Sequence, residues 1–525
     1  MLARFLMLSS LALAVPAGSV PLSSELDPAK TLGMISELTY GTNMPVGTKL
    51  KLHRHGGNRM TGYNWETNAS SAGNDYKNNS DYWLNQGAGF PMKQLPPATL
   101  AMHSLKQDRE AGMYSIYTVP MAGYVAADGN GEVSSSERAP SRRWVKVEPK
   151  KGQPFAASPS LTDGVVYVDE FADFLKRQNL LPLFFSLDNE PGLWASTHSR
   201  IHPKPVTYEE MLSKSIATAS ALLDVAPQSR IVGGVTYGWF ENMSLQKAPD
   251  FGTYNPKYGW YLGYLLSGMK EASDKQGRRL LHLLDVHWYP EAQGGGKRIT
   301  LVGGSALQDS RNQALIEARL QAPRSLWDPD YIEDSWIAKD VVGGPIKALV
   351  RIKEAIAKYY PGTMPAMLEW NYGGEEHISG GLAAADVIGI FGKYGVASCY
   401  WALSGKIPFY TAAFKMYLDF DGKGSRFGDV ALDLASSNKA LLSIHAAKDS
   451  KDPKRITVVV IHKHQSRADD FTLQIHGFNA ASIRAFRMEG KDSDLKPANT
   501  AKLSPTGFSD TLPAMSATLY EIRQK

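Results

Sequence analysis

Two apolar runs in this chain stop at carboxylates. Phe184-Phe-Ser-Leu187 leads into Asp188-Asn189-Glu190-Pro191, and Ala366-Met-Leu368 leads into Glu369-Trp370-Asn371-Tyr372-Gly373-Gly374. One acid at the end of a strand can serve only to cap the next element. Two acids on separate strands suit a specific chemistry, glycoside hydrolysis. One carboxyl protonates a departing oxygen, and the other attacks the anomeric carbon or activates water. Asn189, beside Glu190, is placed to hydrogen-bond a sugar hydroxyl next to the reacting carbon.

Other polar motifs carry less. His53-Arg54-His55 has the spacing of a metal-binding His-x-His pair on a strand. It is similar to the amidohydrolase pattern, but there the pair lies on the first barrel strand and an aspartate ends the eighth. Here the pair lies on the second candidate strand and the eighth ends near Trp401, so no metal ligands are assigned. Gly294-Gly-Gly-Lys297 lacks the first glycine and the Ser/Thr of a phosphate loop, and is expected to be a surface turn. Cys399 is the single cysteine, so no intrachain disulfide or thiolate metal cluster can form; its apolar neighbours predict a core position. Asn68, Asn78 and Asn242 begin N-x-Ser sequons, which matter only in a eukaryotic secretory host.

The elements that must position the two acids follow from periodicity. Strand-like runs cover Leu38–Thr42, Leu50–His55, Tyr114–Val119, Leu181–Leu187, Arg230–Tyr237, Leu281–Tyr289, Pro365–Trp370 and Val396–Leu403. Helical patterns alternate with them. One carries Tyr167, Phe171, Phe174 and Leu175; another opens on a capping box at Thr207-Tyr-Glu-Glu210; a third carries Leu349, Ile352 and Ile356. Eight alternating units predict an α/β fold, a (β/α)8 TIM barrel over residues 36–427, with active residues at the carboxyl ends of the strands. The acids then end strands four and seven. Beyond Gly428 the pattern turns to alternating strands, as in Arg455–His462, Phe471–His476, Ile483–Met488 and Ala517–Ile522. That predicts an appended antiparallel β-sandwich over residues 428–525, joined by the segment 21–35.

Composition excludes several classes. Of 525 residues, 43% are hydrophobic and 21% charged, which describes a folded globular protein. The net charge of +5 is spread over 57 basic and 52 acidic residues, with no dense basic face for nucleic acid. Arg4 followed by the apolar stretch Phe5–Val15, with small residues near Ala17, predicts a secretory signal over residues 1–17. That stretch is too short to span a bilayer and no other is longer, so a secreted or periplasmic monomer without a membrane anchor is expected. The 11 Trp and 24 Tyr suit sugar stacking as well as core packing.

Several segments resemble glycoside hydrolase family 44, in order along the chain. They are Arg54-His-Gly-Gly-Asn58-Arg59-Met-Thr-Gly-Tyr63-Asn64-Trp65-Glu66-Thr-Asn68, Val119-Pro-Met-Ala-Gly-Tyr124-Val-Ala-Ala-Asp128, Ser186-Leu-Asp-Asn-Glu190-Pro, Thr236-Tyr-Gly-Trp239, Leu284-Asp-Val-His287-Trp-Tyr289-Pro-Glu291 and Glu369-Trp-Asn-Tyr-Gly-Gly374. The resemblance implies a barrel joined to a β-sandwich and a retaining endo-acting cleavage of β-1,4-glucan, cellulose-type or xyloglucan. It makes Glu190 the acid/base and Glu369 the nucleophile; should Glu190 prove only supporting, Glu291 is the first alternative to test. Arg54 then favours the ionised nucleophile, and His287 and Tyr289 face the barrel mouth, the tyrosine donating to Glu369. Asn64, Trp65, Trp370 and Trp401 join the expected substrate-binding set, the three tryptophans as sugar platforms. The two carboxyls should stand about 5–5.5 Å apart. No cofactor is required, and a structural Ca2+ is compatible although no ligand set is legible. The alternatives are a mannanase or xylanase on the same barrel, or a carbohydrate-binding protein on a dead barrel, which the presence of both acids disfavours.

Overall fold

The computed structural model describes residues 21–44, 49–301 and 312–525. The expected signal segment lies outside them. Eight strands close into a barrel in which every neighbouring pair is parallel. They are β1 (Gly41–Thr42), β2 (Leu52–His55), β3 (Tyr114–Val119), β4 (Phe184–Leu187), β5 (Arg230–Thr236), β6 (Leu283–Val286), β7 (Met364–Trp370) and β8 (Ala397–Tyr400). Each corresponds to one of the eight apolar runs, usually shortened. The first run keeps only two residues as strand, because Ser36 accepts the Leu38 N–H and winds Glu37–Thr39 into a 3-10 turn.

Side chains alternate across each strand. Leu52, Ile116, Phe184, Val232, Leu283, Ala366, Leu368, Ala397 and Cys399 fill the barrel interior. Outside, helices cover the barrel through a larger apolar layer; in helix Val168–Arg177, Phe171 and Leu175 turn inward. Helix Tyr208–Val225 starts where the sequence places it, with Thr207 Oγ1 accepting the Glu210 N–H at 3.0 Å. Only half of the capping box forms, because the Glu210 carboxylate is engaged by His202 and Lys214.

The carboxyl-terminal region is a sandwich of a seven-stranded and a four-stranded sheet. The amino-terminal segment contributes to both. Leu22–Leu26 pairs parallel with Asp469–Ile475, and Thr31–Met34 pairs antiparallel with Val430–Leu432. The sandwich packs on helix Ile378–Tyr394, which is buried along nearly its whole length. Gly389 permits that approach, since a Cβ there would lie 2.3 Å from the His445 ring. At the same seam Asp386 accepts from Lys463 at 2.9 Å and Ser443 at 2.7 Å, and pairs with His445 at 2.9 Å. Strand Arg455–His462 is buried on both faces, one against the opposite sheet and the other against this helix. Among the described residues no helix is long and apolar enough to cross a membrane.

Candidate active site

The turn after β4 is built against backbone preference. Asp188 and Glu190 both hold left-handed conformations, with φ of 62° and 47°. A buried acid stabilises the turn. The Asp188 carboxylate accepts from Thr61 Oγ1 at 2.6 Å, from the Asn189 N–H at 2.7 Å, from the Ala122 N–H at 3.1 Å and from the Met121 N–H. The Glu190 N–H donates to Val235 O at 2.9 Å, and Val235, a β-branched residue at the end of β5, itself sits at φ 47°. Such conformations cost on the order of 1–3 kcal/mol each and persist where surrounding contacts over-determine them. Here they aim Glu190 into the barrel mouth.

Strand β7 delivers Glu369 from the other side. A carboxylate oxygen of each acid and a ring nitrogen of His287 all lie within 4.8 Å of one another. Glu369 is 6% exposed. Arg54, on the inner face of β2, donates to its Oε1 at 2.7 Å, and the Tyr289 hydroxyl donates to its Oε2 at 2.9 Å. The same guanidinium donates to Asn189 Oδ1 at 2.7 Å and Asn43 Oδ1 at 3.0 Å, so one buried cation ties β1, β2, β4 and β7 together. His287 Nδ1 meets Glu190 Oε1 at 2.8 Å and stands 3.5 Å from Glu369 Oε2, while its Nε2 stands 3.5 Å from Asp285.

Electrostatics separate the roles. Burial raises the Glu190 pKa above the usual carboxylate range, and the neighbouring Glu369 charge adds to the rise against the pull of His287. Burial alone would strip the His287 proton, yet Glu369, Asp285 and Glu190 together push the imidazole up to about 10. Burial and the Glu369 charge hold the Tyr289 phenol far above its ordinary value, so it remains a donor. A carboxyl whose pKa is raised, beside a second carboxylate held by an arginine and a phenol, is an arrangement that can supply an acid and a nucleophile.

Several of the expected binding residues occupy other roles. Trp65 is 3% exposed and packs against Phe171 and Phe174, so it is a core residue and not a sugar platform. Trp370 is wholly buried among Tyr372, Phe391, Tyr400, Tyr410 and Phe414, because the strand alternation that points Glu369 inward points Trp370 out. Asn64, also buried, donates to Ala126 O at 3.0 Å and accepts the Glu66 N–H at 2.9 Å; it shapes a turn. Asn189 remains at the site but is occupied by Arg54. Trp401 is partly exposed at the end of β8 against Gly57, where a Cβ would meet its ring at 2.8 Å. A cleft of about 580 Å3 beside Glu190 is lined by Tyr237, Trp239, Phe240, Tyr289, Trp336 and Leu403 among others. Sequence patterning did not mark Tyr237, Phe240 and Trp336 as cleft residues: Tyr237 directly follows β5, and Phe240 and Trp336 lie in helical segments beyond the strands, where no strand period assigns a face. Glu291 also lines this cleft but is paired with Arg298 at 3.0 Å. A larger cavity of about 820 Å3 at the barrel–sandwich seam contains neither acid.

Glu241 is a supporting residue that sequence reading passed over. Its buried carboxyl accepts the Gly192 N–H at 2.6 Å and the Tyr237 N–H at 2.8 Å, joining the loops after β4 and β5. Gly192 must be glycine there, as a Cβ would come within 2.8 Å of the Glu241 carboxyl carbon. Burial pushes Glu241 up to about 8, against the pull of these backbone donors. Asp285, likewise unmarked, fixes β7 by accepting the Leu368 N–H at 2.8 Å. Both lie inside helical or apolar patterns where a single acid has no sequence signature.

Residues 61–292 match the model of glycoside hydrolase family 44. Over 496 residues the chain is 42% identical to endoglucanase A of Paenibacillus lautus, covering 92% of this chain and 70% of that protein. The chain belongs to glycoside hydrolase family 44. A Paenibacillus polymyxa xyloglucanase of family 44 superposes with a TM-score of 0.91 at 38% identity, over 96% of this chain and 100% of that one. The family 44 endoglucanase of Clostridium thermocellum superposes with a TM-score of 0.89, also at 38% identity, over 96% and 99%. The chain is therefore a glycoside hydrolase, and the family 44 architecture of barrel and sandwich is the one described above.

Proposed function

We propose that this family 44 enzyme cleaves internal β-1,4 linkages of a glucan backbone, cellulose-type or xyloglucan, with retention of anomeric configuration. The observation that carries the reading is the pair of carboxylates with oxygens within 4.8 Å of each other, one of them clamped by Arg54 and Tyr289. Retaining sites hold their carboxyls about 5–5.5 Å apart, whereas inverting sites leave about 6.5–9.5 Å for a water. Glu369 attacks the anomeric carbon while Glu190 donates its proton to the departing glycosidic oxygen. The resulting glycosyl ester is hydrolysed by a water that Glu190, now ionised, deprotonates. His287 holds the Glu190 carboxylate through the exchange, and Tyr289 leaves the ester oxygen a donor. These steps draw on no metal or organic cofactor.

The substrate class is supported by the cleft with aromatic walls and by the relatives, among them a Paenibacillus polymyxa xyloglucanase solved with xyloglucan. The apolar stretch ahead of Ala17 supports export to where such polymers lie. Glu190→Ala tests the roles. Turnover of polysaccharide should fall by about 10²–10⁴-fold, and turnover of an aryl cello-oligosaccharide, whose leaving group needs no proton, far less. Azide should restore deglycosylation and yield a β-glycosyl azide; an α-azide would exchange the two assignments. Product release from soluble cellulose derivatives, xyloglucan, mannan and xylan ranks the backbones. Activity confined to mannan or xylan would overturn the glucan reading.

A further inference from the structure

The strand that carries Arg54 presents two histidines, His53 and His55, on its other face. Leu52 and Arg54 point into the barrel; His53 and His55 point outward, toward helix Thr99–Glu110. What they meet there is a third donor. Asp108, buried on that helix, places one carboxylate oxygen 2.6 Å from His53 Nδ1 and the other 2.7 Å from His55 Nε2. All three ligand atoms lie within 4.8 Å of one another.

We propose that His53, His55 and Asp108 bind one divalent transition-metal ion, with Zn2+ the best match, as a structural clamp between β2 and the helix that covers it. The donor set fits. Two imidazole nitrogens and one carboxylate oxygen suit zinc and not the all-oxygen preference of Ca2+ or Mg2+. The two rings stand on one face of one strand with centroids 4.2 Å apart, and one nitrogen of each faces the same carboxylate. Ligands about 2.0–2.1 Å from a tetrahedral zinc stand roughly 3.4 Å from each other, a spacing that small side-chain rotations reach from here. Each imidazole offers a lone pair once its proton sits on the other ring nitrogen. The carboxylate is oriented from behind by the Ser115 hydroxyl on β3, which donates to Asp108 Oδ2 at 2.6 Å, the kind of support that metal-bound acids use. The His53 and His55 side chains are 16% and 14% exposed, enough for an ion to enter and for water to complete its coordination.

The consequence runs through the backbone of β2. Arg54 stands between the two histidines and reaches Glu369 from the opposite face. An ion at this clamp stiffens the strand that carries the arginine while touching neither substrate nor acid.

The test begins with full-length enzyme freed of metal by chelator and exchanged into zinc-free buffer. Titration with ZnCl2 should show one tight site per chain by calorimetry and by metal analysis. The melting temperature should rise by several degrees, and CaCl2 and MgCl2 should leave it unchanged. Because Glu190, His287 and Glu369 also converge within 4.8 Å, the titration is repeated on Glu190→Gln/Glu369→Gln, which should keep the zinc site. His55→Gln and, separately, Asp108→Asn should lose it and its thermal shift. X-ray absorption of the zinc form should show two imidazoles and low-atomic-number oxygen neighbours. No stoichiometric zinc on the wild-type enzyme would overturn the proposal, whatever the variants do. So would binding that disappears in the double Gln variant yet survives in His55→Gln, since the ion would then belong to the catalytic acids.

Discussion

The barrel mouth and the sandwich handle buried charge in opposite ways. In the sandwich buried ions are fully engaged. Arg487 donates to Asp510 at 2.6 Å, Tyr520 donates to the same carboxylate at 2.6 Å, and Arg455 pairs with Glu521 at 2.6 Å. In the barrel, Arg54 Nε, Asp285 Oδ2 and His287 Nε2 are buried without a hydrogen-bond partner in the protein, and among the described residues the side-chain atoms of that kind all belong to the barrel. Backbone strain divides likewise. Asp188, Glu190 and Val235 hold left-handed φ around the acids, whereas Met515 is the only non-glycine residue with positive φ among the described residues of the sandwich. Unpaired buried polar groups and strained turns cost stability. The barrel carries most of that cost, and at its mouth a substrate and a shifting proton can supply the missing interactions; the sandwich carries little of it.

The comparison predicts that substitutions at the mouth remove activity and spare the fold, and that substitutions in the sandwich do the reverse. The largest effect is expected for Glu369→Gln. Gln keeps the shape and an acceptor for Arg54 but cannot attack, so kcat/KM should fall by at least about 10⁴-fold. Its melting temperature should stay at the wild-type value; a cooperative loss of fold would erase the contrast. Next is Asp510→Ala, which leaves the buried Arg487 with only the distant, half-exposed Glu489 as an ionic partner at 4.0 Å. Breaking a pair of this kind costs about 3–5 kcal/mol, read as a lower denaturant midpoint, with kcat per folded molecule unchanged at room temperature. A fall in kcat would show that the sandwich shapes the site.

A smaller effect is expected for Glu241→Gln, which keeps one of the two backbone contacts. Misplacing Glu190 by a fraction of an ångström should lower kcat on polysaccharide by about 10–10²-fold with KM little changed. The loss on aryl glycosides should be smaller, because it falls on proton donation. Equal losses on both substrates would make Glu241 a residue of the fold alone. The smallest shift is one of pH. His287, cationic up to about 10, lowers the pKa of Glu190. Removing that cation in His287→Asn leaves Glu190 protonated to higher pH. The alkaline limb of kcat/KM, where the acid loses its proton, should therefore move up in pH. A limb that moves down would show that His287 acts on Glu190 mainly by some means other than its charge.

The two acids were legible because each interrupts an apolar run where a barrel strand must end, and the eight runs marked the eight strands. Arg54, His287 and Tyr289 were legible through the family resemblance and strand alternation. The tryptophans were misread for a physical reason. An aromatic next to a catalytic acid on a strand faces the opposite way, so Trp370 had to be a core residue once Glu369 faced the mouth. Trp65 shows the same limit in a loop, where no period assigns a face. Glu241, Asp188 and Asn43 were silent because their work is to accept or relay hydrogen bonds from segments distant in sequence. The amino-terminal segment was expected to join the sandwich, and it adds one strand to each sheet, since its two short runs are separated by a turn at Asp27–Lys30.

That last feature also governs how the molecule can be made. Glu25 and His476, 451 positions apart, meet across the pairing of the first described strand with its partner. Synthesis proceeds from the amino terminus, so this strand exists, edge exposed and apolar on alternate residues, until nearly the whole chain has followed it. The barrel can close in the meantime; the sandwich cannot. The sandwich is therefore complete only once Leu22–Leu26 has paired with Asp469–Ile475. An enzyme shortened from either terminus loses the same domain, and the orphaned strand left behind is an edge available for pairing with another copy.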